Sequence, residues 1–229
     1  NMVGKNQDGR ETGPDNFITF EQMSIIANSQ RLWLQLALWI NTLIHTVFRD
    51  SERKPVVFNR VYQGVSMDFY NMILVFYGSE IAQQFLNLFS NFILNLWRVI
   101  ESLNENNQEA INTNTVQLYR SADILARFLA RINLFWDEAQ WQSLLYQYIR
   151  MKIDEVLAVA TRDFEREIDI FDRIQDLTVI MGNYMARGII ARNLPWEQRE
   201  EERAGVGSEA LNYFTYILGN LCPKAQTIS

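Results

Sequence analysis

The sequence predicts an all-α protein, an antiparallel bundle of about six or seven helices. Three observations carry this. Only 4 Pro and 10 Gly interrupt 229 residues, so long helices meet few breakers. Apolar residues recur at spacings of three and four along most of the chain. No segment shows the β-branched alternation of strands, and no hairpin dipeptide lies between apolar runs. Aromatic side chains make up 13% of the chain, so the core is expected to be built largely from rings.

Residues 1–18 are polar, carry no apolar run of the signal-peptide kind, and are expected to be a disordered tail. The bundle is expected over 19–193. Thr19 and Gln22 have capping-box spacing and open the first helix, with a break or kink near Asn28-Ser29. Trp33, Leu36, Ala37, Ile40, Leu43, Ile44, Val47 and Phe48 form its apolar stripe. Leu34, Leu38 and Trp39 thicken that stripe, so the helix is expected to be covered on most sides. Leu32 to Phe48 has no acidic or basic residue other than His45. It is too short, and too rich in Gln35, Asn41 and Thr42, for a membrane span.

Pro55 suits the first turn of a second helix, which Gly64 and Ser66 are expected to interrupt before Gly78 stops it. Ser79 is the expected cap of the third helix, whose apolar face is Ile81, Phe85, Leu88, Phe89, Phe92, Leu96, Val99 and Leu103. A fourth runs from about Glu109 to Asn133 with Ala122, Leu125, Phe128, Leu129 and Ile132 inward. Asp137 with Gln140 caps a fifth, carrying Trp141, Leu144, Leu145, Tyr148 and Leu157. The sixth begins near Arg162 and presents Phe164, Ile168, Phe171, Ile174, Leu177, Met181, Tyr184 and Met185. Residues 194–229 are expected to add a charged run, Glu197 to Arg203, and a short helix packed on the bundle. Phe85, Leu88, Phe89 and Phe92 repeat as Trp141, Leu144, Leu145 and Tyr148, each set following an aromatic pair (Phe76-Tyr77, Phe135-Trp136). This suggests a duplicated unit, in a ferritin-like or hemerythrin-like arrangement.

Residues 30–190 also resemble a known family. The carriers are Asp68-Phe69 with Asn71, then Phe76-Tyr77-Gly78; Tyr119, Ala122-Asp123, Phe128-Leu129, Ile132-Asn133, Phe135-Trp136 and Trp141; and Phe171-Asp172, Ile174, Met181, Tyr184-Met185 and Gly188-Ile189. Together they look like a family of small helical-bundle proteins of spore-forming Firmicutes, which has no established activity to carry over. The resemblance implies inward Glu and His positions on the first, third and fifth helices. Here those positions hold Leu34, Leu36, Asn91-Phe92 and Gln147-Tyr148, so a ligand set of that kind is expected to have been replaced by core.

The formal charge of −6 and pI near 5.0 argue against nucleic acid and anionic membrane surfaces, which recruit Lys and Arg. A single cysteine, Cys222, allows no internal disulfide, and a cytoplasmic location is expected. One His and one Cys exclude the usual zinc sites. No phosphate loop, βαβ pattern or nucleophile turn is present. Candidate ligand-binding residues are Glu155, near the buried stripe of its helix; Asp123 beside Ala122; Glu167 on the sixth helix; Tyr148 and Tyr184 as donors to Glu155; and His45. Converging carboxylates would hold Fe or Mn; otherwise each is expected to pair with Arg127, Arg131, Arg150 or Lys152. The expected function is a non-catalytic binding or interaction module, with no cofactor. The alternatives are a carboxylate metal-binding bundle of ferritin-like type and a carrier of a small apolar ligand. A homodimer through Trp196, or through Phe214 with Tyr216, is a further expectation.

Overall fold

The computed structural model describes residues 18–193. The N-terminal tail up to residue 17 and the segment 194–229, with Trp196, Phe214, Tyr216 and Cys222, lie outside them. The described elements are α1 (Phe20–Arg49), α2 (Lys54–Asn59), a π-helical segment (Arg60–Val65), α3 (Ser66–Tyr77), α4 (Ser79–Asn104), α5 (Gln108–Ile132), α6 (Glu138–Thr161) and α7 (Phe164–Asn193). All are helical.

The capping chemistry sets most boundaries. Thr19 Oγ1 accepts from the Gln22 N–H at 3.2 Å while Gln22 Oε1 accepts from the Thr19 N–H at 3.0 Å, a complete capping box. Asp137 Oδ1 accepts from the Gln140 N–H at 2.8 Å to start α6. Asn107 caps α5 by accepting from the Ala110 N–H at 3.1 Å. Ser79 is not a cap. It is the first residue of α4, and Gly78 at φ +84° both ends α3 and precedes α4, a backbone state that favours glycine.

The second helix stays helical past Gly64 and Ser66, but its α form is interrupted where expected, by a π segment that contains Gly64 and ends before Ser66. It runs on from α2 through the π segment into α3. The reason lies in the spacing of its buried apolar residues: Val57, Val61, Val65, Phe69, Ile73 and Tyr77 recur every four, with Ser66 buried as well. In an α-helix each fourth residue advances about 40° around the axis, so this stripe would drift off the core. The wider π turn rotates it back. Arg60 and Asp68 bridge the segment with a 3.1 Å ion pair, and the Arg60 guanidinium lies 5.3 Å from the Trp39 ring.

The pairs α1–α7, α4–α5 and α5–α6 are antiparallel, while α1 and α6 run parallel, Ala37 lying by Lys152 and Asn41 by Glu155. Along α1 and α7, Gln30 meets Asn183, His45 meets Glu167, and Arg49 meets Phe164. Along α4 and α5, Asn114 meets Arg98 and Arg131 meets Gln84. Along α5 and α6, Asp123 meets Gln142 and Arg127 meets Glu138. Gly182 explains the closeness of α1 and α7: a Cβ there would stand 2.5 Å from Gln30 Cα and 2.7 Å from its nitrogen. Gly188 gives room to the Trp136 indole in the same way.

The core is a connected set of rings. Trp33 packs on Phe69 at 5.1 Å, Phe89 at 6.1 Å and Trp141 at 5.9 Å. Trp141 continues to Trp136 at 5.9 Å, and Trp136 to Tyr77 at 5.7 Å. The two aromatic pairs read as repeat punctuation therefore meet, and Asn133 Nδ2 donates to Tyr77 Oη at 2.8 Å beside them. Edge-to-face and offset ring pairs of this kind add about 0.5–1.5 kcal/mol each beyond their buried area.

Four stripe residues are not core. Leu38 is exposed, yet every other residue from Leu32 to Phe48 is buried or half-buried, so this part of α1 is covered on most sides; Leu157 on α6 and Phe164 and Ile168 at the start of α7 are exposed too. The first two turns of α7 lie past the main core, and Ile170 is its first buried residue.

Candidate functional site

The sequence candidates do not converge. His45 and Glu167 meet each other, Glu155, Asp123 and Tyr184 are held by other residues, and the Tyr148 hydroxyl has no hydrogen-bond partner. Glu155, fully buried on α6, accepts from Lys152 Nζ at 2.7 Å and from Asn41 Nδ2 of α1 at 2.7 Å. Lys152, also fully buried, donates in addition to the Ala37 carbonyl at 3.1 Å. Positions 152 and 155 are three apart on α6, so they share a face, and that face is turned to α1. Phe171 of α7 and Tyr148 lie beside the ammonium, their ring centres 5.6 and 5.7 Å from Nζ. Burial pushes the Lys152 ammonium below its ordinary pKa, with Glu155 acting the other way.

Tyr148 does not donate to Glu155. Its hydroxyl is buried without a hydrogen-bond partner, and burial, then the Glu155 charge, raises its pKa well above the ordinary value. Nor does Tyr184 reach Glu155. Its hydroxyl accepts the Asp137 N–H at 2.6 Å, while its backbone carbonyl accepts from Trp136 Nε1 at 3.2 Å, tying α7 to the start of α6. Burial raises its pKa.

Asp123 sits at the α5–α6 seam, where Oδ1 accepts from Gln142 Nε2 at 2.7 Å and from Tyr146 Oη at 2.6 Å. That hydrogen bond is the main cause of a raised Tyr146 pKa. His45 Nε2 and Glu167 Oε1 are 2.8 Å apart at the α1–α7 seam. Of the four cations expected to pair with these carboxylates, only Lys152 does so; Arg127 pairs with Glu138, and Arg131 approaches Gln84. Among the described residues, no three His, Cys, Asp or Glu side chains gather where one ion could reach them.

A concave feature of the described surface lies elsewhere. A groove of about 470 Å³ runs between the π segment with α3 on one wall and α4 on the other. Tyr62, Gln63 and Met67 line one side; Leu86, Asn87, Ser90, Asn91 and Leu94 line the other. None is charged. On the first wall Gln63, Met67, Asn71 and Leu74 fall on one helical face, and all four are exposed. On the second, Gln83, Asn87 and Asn91 do the same. Asn91, a position where the resemblance implied an inward ligand, thus opens onto the groove.

The groove was missed from the sequence, although its signal is there. Residues 69–79 and 81–97 contain no Asp, Glu, Lys, Arg or His, in a chain that is 21% charged. An outer helix face is ordinarily where charge collects. Amides at spacings of four, Gln83, Asn87 and Asn91, mark an exposed face left neutral. That this face borders a cleft depends on the π segment across from it, which spacing alone did not reveal.

None of the described helices is long and apolar enough to cross a membrane. Comparison with known protein families, characterised proteins and solved structures found no match for this chain.

Proposed function

We propose that this chain is a non-catalytic interaction module of the cytoplasm, and that its contact surface is the uncharged groove between α3 and α4. One observation carries the reading: the groove's lining holds apolar groups, carboxamides and hydroxyls but no charge, while charged residues stand around it, Arg60 and Asp68 beside Gln63 and Met67 and Arg98 one turn beyond Leu94. Depletion of charge at the centre of a patch is the compositional mark of a protein–protein contact. Side chains suited to acid–base or ligand chemistry are engaged within the helix seams and do not line the groove. The likeness to the small helical bundles of spore-forming Firmicutes belongs to the same proposal; the residues supporting it include Phe69, Tyr77, Trp136 and Trp141 of the ring network.

The test compares immobilised wild-type protein with the double variant Asn87→Glu, Asn91→Glu in capture from a cell extract, read by quantitative mass spectrometry. Chains retained by the wild type and lost by the variant are expected. Identical capture by both proteins counts against the groove. Stoichiometric iron or manganese in protein purified without chelator would replace this reading with the metal-binding one.

A further inference from the structure

We infer that the uncovered first turns of α1 are the seat of this chain's own C-terminal segment, residues 208–221, docked there as an amphipathic helix. This surface shares no residue with the groove between α3 and α4, so the two readings stand or fall separately.

The seat is an apolar face without cover. Helix α1 begins well before its core does: none of residues 20–28 is buried, and Ser29 is the first that is. Ile25 packs against the core from one side of the helix. Phe20, Met23, Ile26 and Ala27 share the other side at spacings of three and four. Phe20 is 84% exposed and Met23 47%, and Ala27 is exposed as well. An apolar helix face is ordinarily turned to a partner. Gln30 continues this face and meets Asn183 at 2.6 Å, so the stripe runs along the flank of α7.

The place where the chain leaves the described residues names the occupant. With α1 and α7 antiparallel and Gln30 on Asn183, Asn193 at the end of α7 comes level with Phe20. Residues 194–229 start beside the seat. Within them Leu211, Phe214, Leu218 and Leu221 recur at spacings of three and four, and no Asp, Glu, Lys, Arg or His stands between 210 and 223. A helix this short is marginal alone in water and gains its stability by laying its apolar face on another surface. The link, residues 194–207, reaches about 45 Å when extended, against about 13 Å for the length of 20–28. A tether of this kind holds the segment at roughly millimolar effective concentration, ahead of any free competitor. The N-terminal tail is no rival: residues 1–16 offer only Met2 and Val3 as large apolar side chains, amid Lys5, Asp8, Arg10, Glu11 and Asp15.

Hydrogen exchange of the full chain, read by mass spectrometry, tests this. Phe214→Glu with Leu218→Glu should speed exchange of the backbone amides of 23–28 by about tenfold or more while α6 exchanges as before. Asn212→Glu, on the opposite face of the segment, should change nothing. In the reciprocal variant, Phe20→Glu with Met23→Glu, the carboxylates suit the first turn of α1, so the helix is kept and exchange of 211–221 should rise by a similar factor. If Phe214→Glu with Leu218→Glu exchanges fast throughout, the reciprocal variant decides. Amides of 23–28 indifferent to the first pair in a folded protein, or amides of 211–221 indifferent to the second, overturn the inference. Protection of 23–28 that grows with protein concentration overturns it too, because the segment then comes from a second copy.

Discussion

Lys152 offers the sharpest test of how this bundle is held together. Its ammonium and the Glu155 carboxylate are both fully buried, 2.7 Å apart, and their remaining hydrogen-bonding capacity goes to α1 through the Ala37 carbonyl and Asn41. Bringing two charges out of water costs several kcal/mol per ion, and their attraction with added hydrogen bonds returns a comparable amount. The pair is therefore near neutral for stability while intact, and its halves are not. In Lys152→Met the Glu155 carboxylate stays buried with Asn41 alone, which should cost about 3–5 kcal/mol. Against a total stability of about 5–15 kcal/mol, that is about a fifth or more of the whole. In Lys152→Met with Glu155→Leu both desolvation penalties vanish. Only the Asn41 amide and the Ala37 carbonyl lose partners, at about 1–3 kcal/mol each, and new apolar packing offsets much of this. The double variant should lie within about 2 kcal/mol of wild type. Urea unfolding by circular dichroism of the wild type, both singles and the double gives the cycle directly. A Lys152→Met cost below about 1 kcal/mol, as for a surface pair, would refute the burial argument. A double variant costing as much as the two singles added would refute the compensation argument.

Other predictions follow from the same structure. Gly182→Ala puts a methyl 2.5 Å from Gln30 Cα, backbone that cannot rotate away, so α1 and α7 must part. A net loss of about 1–2 kcal/mol is expected in urea unfolding, after a gain of up to about 1 kcal/mol in helix propensity. Burial pushes the Tyr77 hydroxyl up to about 12 from 10.0. The folded protein then holds a proton that the unfolded chain releases, so stability should fall by up to about 1.4 kcal/mol per pH unit between those values. Tyr77→Phe should flatten that limb of a pH series of unfolding curves. Lys152 works in the opposite sense. Its lowered pKa means the unfolded chain binds the proton more tightly, so its contribution to stability rises as pH approaches 10.5, a slope absent in the double variant. Asp137→Ala removes the acceptor for the Gln140 N–H and should cost about 1 kcal/mol of thermal or urea stability.

The helices were legible because their determinants are local. The capping box at Thr19, the N-cap at Asp137, the run of Phe85, Phe89, Phe92 and Leu96, and the stop at Gly78 act within a few residues, and each appears where the spacing put it. Gly64 and Ser66 marked a change of helix type and not a break in the helix. Helix-breaking tendency was read from single residues, whereas the four-residue period of Val57 through Tyr77 over-rode it by widening a turn. Phe164, Ile168 and Leu157 misled because apolar periodicity says which side of a helix is oily, not how far its neighbours extend.

What the amino-acid order determined by itself was therefore the all-helical fold, the apolar stripes and the neutral stretches 69–79 and 81–97. What only tertiary structure decided was pairing across helices: Glu155 with Lys152 and Asn41, Asp123 with Tyr146, Glu167 with His45, and the cleft between α3 and α4. Asn41 and Glu155 stand 114 residues apart, and nothing in a helical period fixes which rotation or register brings them together. That choice is made by close packing: Gly182 lets α1 and α7 approach, and the linked rings of Trp33, Trp141 and Trp136 lock the remaining helices around them.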